Sequence, residues 1–67
     1  MSARAATRTR AHDCYARGRE LRARGDVAAA AAAYREALAL DPSLAAAWIS
    51  LGIALRVDGR LSDAEDC

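Results

Sequence analysis

The sequence predicts an all-α fold of antiparallel helix hairpins, and three observations carry that reading. Alanine dominates the composition with leucine behind it, phenylalanine is missing, and every basic residue is arginine, a mixture that favours helix. Segments of helical apolar spacing alternate with short turn signals, "RGD" at 24–26, "DPS" at 41–43 and "DGR" at 58–60. The whole pattern also recurs when the chain is shifted by 34 residues. Sixty-seven residues make one small domain at most, and a single core of that size is marginal, so close packing has to supply the stability.

The elements follow in order. Residues 1–9 read as a basic, unordered leader. "MSARAATRTR" has no apolar core segment, which argues against a secretory signal, while its arginine-rich, acid-poor character also suits an organellar transit peptide. The first helix runs from Arg10 to Arg24, with Cys14, Gly18 and Leu21 along one face. In "RGD", Gly25 suits the left-handed position after a helix and Asp26 the N-cap of the next. The tripeptide is a hairpin turn rather than an integrin ligand, because it joins two helical patterns and no disulfide loop displays it. A second helix covers Val27–Leu40, whose alanine run lets a neighbouring helix approach closely. Pro42 ends it by disfavouring helix in the residue before, and Ser43 can cap a third helix from Leu44 to Asp58. "DGR" then ends that helix, and Ser62 with Glu65 makes a capping box that opens a fourth, cut off at Cys67. The organisation is thus a leader (1–9), a first helix-turn-helix repeat (10–42) and an incomplete second one (43–67).

Under the 34-residue shift, Ala11 falls on Ala45, Gly18 on Gly52, Leu21 on Leu55, Arg22 on Arg56, Gly25 on Gly59 and Ala30 on Ala64, with Val27 on Leu61. Alanine matches are cheap in this composition. The glycine matches are not, because the chain holds four glycines and all four pair. "WISLGIAL" from Trp48, with Gly59 and Ala64 after it, resembles the tetratricopeptide repeat signature, W-x-x-L-G-x-x-Y followed by A-x-x-x-F and P. The preceding copy supplies the other half with Ala30, Tyr34 in the phenylalanine place, Ala37 and Pro42. Leu55 replaces the usual tyrosine, and Cys14 and Arg17 replace the tryptophan and leucine of the first copy, as befits a more polar terminal repeat.

The resemblance implies hairpins stacked as an α-solenoid. It also explains a glycine inside an apolar helix, where it costs about 1 kcal/mol relative to alanine: two helices cross so closely that the backbone needs a residue without a side chain. On this basis Gly18 meets Ala30 and Gly52 meets Ala64. The repeat-packing set is Gly18, Ala30, Tyr34, Ala37, Pro42, Trp48, Leu51, Gly52, Leu55 and Ala64.

The same resemblance implies a protein–protein interaction module that holds a peptide in a concave groove. The groove positions carried across are His12, Tyr15, Arg19 and Arg22, then Ala46, Ile49, Ile53 and Arg56, an apolar surface with an arginine rim. Arginine's planar fork suits carboxylates, so the expected partner is an acidic peptide with apolar anchors. The opposing reading leaves Arg19 and Arg22 solvated, or pairs them with nearby acids such as Glu20 or Asp26. The family's chaperone-tail clamp uses lysine and asparagine, and its glycosyltransferase ladder asparagine; this chain has neither residue type. Ile49, Ile53 and Val57 add a second apolar stripe to a helix that already presents Trp48, Leu51 and Leu55, so self-association is expected if part of it stays uncovered.

Other classes find little footing. Residues 1–24 hold five surplus positive charges and residues 25–67 four surplus negative ones; the basic half lacks interleaved aromatics and the acidic half repels phosphate, which argues against nucleic acid. His12 lies beside Asp13 and near Cys14, but adjacent helical residues point apart, so no catalytic site, metal site or cofactor is expected. Cys14 reads as core and Cys67 as an exposed thiol; with no CxxC spacing, a reducing cytoplasmic setting without a membrane span is the expectation. The alternative to a free-standing scaffold is the N-terminal repeat region of a larger enzyme such as a glycosyltransferase.

Overall fold

Three helices in series make up the chain in a computed structural model that describes the backbone of residues 3–66 and the side chains of residues 5–59. They are α1 (Ala3–Ala23), α2 (Val27–Leu40) and α3 (Ala45–Asp66), with no strand among the described residues. α2 packs on α1 at one side and on α3 at the other.

The first turn follows from two residues. α1 closes in a Schellman motif, where the Asp26 amide donates to the Leu21 carbonyl at 2.9 Å and the Gly25 amide to the Arg22 carbonyl at 2.9 Å. That geometry puts Gly25 at φ +88°, which a side chain would oppose. Asp26 then caps α2, its carboxylate accepting from the Ala29 amide at 3.3 Å. Both roles match the sequence expectation.

Three boundaries differ from it. α1 begins at Ala3, so the described residues of the supposed unordered leader are helical; alanine is the best helix former and nothing between Ala3 and Arg10 breaks the ladder. Ser43 does not cap α3: its hydroxyl donates to the Asp41 carboxylate at 2.6 Å and its amide to the same oxygen at 3.1 Å, while α3 starts with the Ala47 and Trp48 amides bonded to the Leu44 carbonyl. α3 also runs through "DGR" without turning, and the expected fourth helix from Ser62 is its continuation. Gly59 keeps a negative φ, unlike Gly25. Extending an existing helix adds one hydrogen bond per residue fixed, whereas a new hairpin arm must first form a costly nucleus.

The core is built largely of alanine. Ala30, Ala31, Tyr34, Ala37 and Leu38 of α2 meet Ala47, Leu51 and Ala54 of α3, with Val27 at one end and Cys14, Tyr15, Leu21 and Leu44 packed around it. Tyr34 is the largest side chain fully buried. It lies against Gly18: a methyl group placed there would sit 2.5 Å from Cε1 of the ring and 2.7 Å from Cδ1. Gly18 is therefore a close-approach residue as expected, although its nearest neighbour is the Tyr34 ring rather than Ala30.

The second glycine of the pair behaves differently. Among the described residues no atom lies within 4 Å of where a side chain on Gly52 would begin; the expected contact with Ala64 falls on a side chain outside the described residues. Trp48 and Leu55, expected in repeat packing, are 55% and 43% exposed. The cause is the straight course of α3, which brings no helix back across that face. Leu51, one position from Gly52, faces α2 and is buried.

Candidate functional site

The groove residues sit on α1 and α3. Tyr15 and Ile53 are half-buried, while His12, Arg19, Arg22, Ala46, Ile49 and Arg56 are exposed. Tyr15 is the joint between the two helices: its ring packs against Tyr34 with centroids 5.7 Å apart and planes inclined by 42°, and its hydroxyl reaches to 3.4 Å from the Ser50 hydroxyl of α3. An aromatic pair in this tilted geometry contributes about 0.5–1.5 kcal/mol beyond its burial. One turn along α1, the Arg19 guanidinium carbon stands 6.0 Å from the centre of the Tyr15 ring, within cation–π range.

Arg19, Arg22 and Ala23 of α1 line an open recess of about 290 Å³ with Tyr34 of α2. The Tyr34 hydroxyl is buried and has no hydrogen-bond partner among the described residues. A buried polar group left unpaired costs about 1–3 kcal/mol, so this hydroxyl is a standing cost unless something supplies a partner. Neither arginine is engaged by Glu20 or Asp26. Asp26 is occupied in capping α2, and the contact described for Arg19 is with Tyr15.

The structure thus brings Arg19 and Arg22 together around one recess, with Tyr15 beside it through its contacts with Arg19 and Tyr34. Ile49, Ile53 and Arg56 lie along α3, joined to it through the Tyr15–Ser50 contact. His12, Asp13 and Cys14 diverge: His12 and Asp13 are exposed, and the Cys14 thiol faces α2 with Sγ 4.0 Å from the Glu36 carboxylate. Among the described residues no group of three or more histidine, cysteine or acidic side chains is placed to hold a metal ion, and no helix is long and apolar enough to cross a membrane. Sequence reasoning placed Tyr34 in the packing set and missed its hydroxyl. The signal was present, since a tyrosine where the repeat pattern has phenylalanine adds a donor and acceptor that burial must satisfy. Ser50, in contrast, carries no pattern that marks it out.

A family model described as "TPR repeat" matches residues 18–56. No curated protein and no solved structure matches the chain.

Proposed function

Since the chain belongs to the tetratricopeptide repeat family, a family of protein–protein interaction modules, we propose that the α1–α3 face binds an acidic peptide segment of a partner protein, held by Arg19, Arg22 and Arg56 and anchored on Ile49 and Ile53. What supports this reading is the recess lined by Arg19, Arg22, Ala23 and Tyr34, the last of which has a buried hydroxyl without a partner among the described residues. A carboxylate entering there gains charge-assisted hydrogen bonds from the guanidinium groups, and a small rearrangement of Tyr34 gives its hydroxyl an acceptor. Ile49, 66% exposed, offers the apolar contact that such a peptide needs beyond charge.

The test is fluorescence anisotropy with labelled peptides that combine aspartate or glutamate with leucine or phenylalanine anchors. Arg19→Glu and Arg56→Glu each weaken binding by about 10- to 100-fold, about 1.4–2.8 kcal/mol, and added salt weakens the parent in the same direction. Tyr34→Phe weakens binding while leaving the melting temperature equal or higher, because it removes an unpaired hydroxyl. Equal affinities for the parent and both arginine variants remove the arginines from the site.

A further inference from the structure

The polar side chains lining the recess near the C-terminal end of α1 are Arg19, Arg22 and Tyr34, with Ala23 as its apolar part and no carboxylate. The two guanidinium groups offer hydrogen-bond donors only and stay charged at any working pH. Tyr34 comes to the recess from α2 by crossing α1 over Gly18. Its Cε1 and Cζ lie 2.5 Å and 3.1 Å from where a Gly18 side chain would begin, so the outer end of the ring is the part that meets α1. That end carries the buried hydroxyl, which has no partner among the described residues. The negative end of a helix ordinarily disfavours an anion. Here the Glu20, Leu21 and Arg22 carbonyls already accept from the Arg24, Gly25 and Asp26 amides, which leaves the guanidinium charge dominant.

On the basis that the α1–α3 face binds a peptide, we propose that this recess takes a phosphate monoester, presented as a phosphorylated serine or threonine within the partner's acidic segment. A carboxylate has two oxygens, and one guanidinium fork satisfies both. The second arginine and the phenol are then left without a ligand atom. A phosphoryl group instead carries a charge of about −1.5 to −2 and three strong acceptor oxygens, which gives an oxygen to each fork and one to the Tyr34 hydroxyl. The planar fork of arginine matches phosphate as well as carboxylate, where the ammonium of lysine supplies only a point charge. The site therefore distinguishes a phosphorylated residue from a merely acidic one by donor number and geometry, and the unpartnered phenol is the group that makes the difference.

Fluorescence anisotropy tests this with a labelled aspartate–leucine peptide carrying one phosphoserine, stepped through its positions, against the same peptides with glutamate in that place. In the best register the phosphopeptide binds about tenfold tighter at neutral pH. The advantage shrinks towards about pH 5, where the phosphoryl group takes up its second proton, while titration of the protein acts on both peptides alike. Arg19→Lys and Arg22→Lys keep the charge and lose the fork, and each reduces the advantage to about threefold or less. Tyr34→Phe reduces it too, with helical circular dichroism and melting temperature undiminished. Equal affinity for the phosphoserine and glutamate peptides in every register overturns the proposal and leaves acidic-peptide binding standing, whereas two series that both fail to bind remove the two together. An advantage untouched by either lysine variant also overturns it, since the phosphate then sits elsewhere. So does inorganic phosphate that competes as strongly as the phosphopeptide, which makes the ligand a free anion.

Discussion

Gly18 and Gly52 hold the same place in successive copies of a 34-residue pattern, yet they live in opposite surroundings. The first is buried with a tyrosine ring against its backbone, and the second faces open space. The difference lies in what covers each helix: α2 turns back over α1 through the Gly25 motif, whereas α3 continues straight through Gly59. A recurring residue type therefore reports a recurring position in the repeat. Whether that position is under steric constraint depends on a neighbour that the local sequence does not contain.

Single substitutions can break this comparison. Gly18→Ala has the largest expected effect: the new methyl group overlaps a ring that is fully buried and has little room to yield, at a cost of about 1–3 kcal/mol, and the melting temperature falls by about 5–20 °C for a domain of this size. Thermal melts of the parent and variant check this; an unchanged midpoint removes the close approach of α1 and α2. Gly52→Ala moves the other way, gaining about 1 kcal/mol of helix propensity and raising the midpoint by about 5 °C in dilute solution. A loss of stability there instead reveals a neighbour packed on Gly52. The smallest effect concerns the α2–α3 turn. The Ser43 hydroxyl bonded to the Asp41 carboxylate holds its pKa below the ordinary 3.8. A depressed carboxylate stabilises the fold above its unfolded pKa and loses that contribution as pH falls through the folded value. The Ser43→Ala variant therefore shows a shallower loss of stability than the parent between pH 5 and acid extremes of about pH 2, and parallel acid titrations count against the bond.

The helical class, the repeat and the first turn were legible because each depends on local chemistry: alanine's propensity, a glycine that must adopt positive φ, an aspartate able to cap. Gly18 as a close-approach residue was legible too, from its recurrence. What could not be read locally was how far each helix runs. "DGR" at 58–60 repeats the glycine of "RGD" at 24–26 with the two charges in reverse order, but Gly59 is compatible with both a turn and a helix, and the choice depends on whether a returning arm gains enough packing to repay its nucleation. The exposure of Trp48 and Leu55 follows from that one outcome. The candidate site was half legible. Arg19 and Arg22 meet around one recess, while the burial of the Tyr34 hydroxyl and the Tyr15–Ser50 tie needed coordinates, since both depend on residues distant in the chain whose side chains carry no sequence periodicity of their own.

α2 separates two helices that share little beyond the Tyr15–Ser50 edge. Its fourteen residues act as a keystone: α1 or α3 can peel away and leave one cohesive pair behind, but melting α2 releases both outer helices at once.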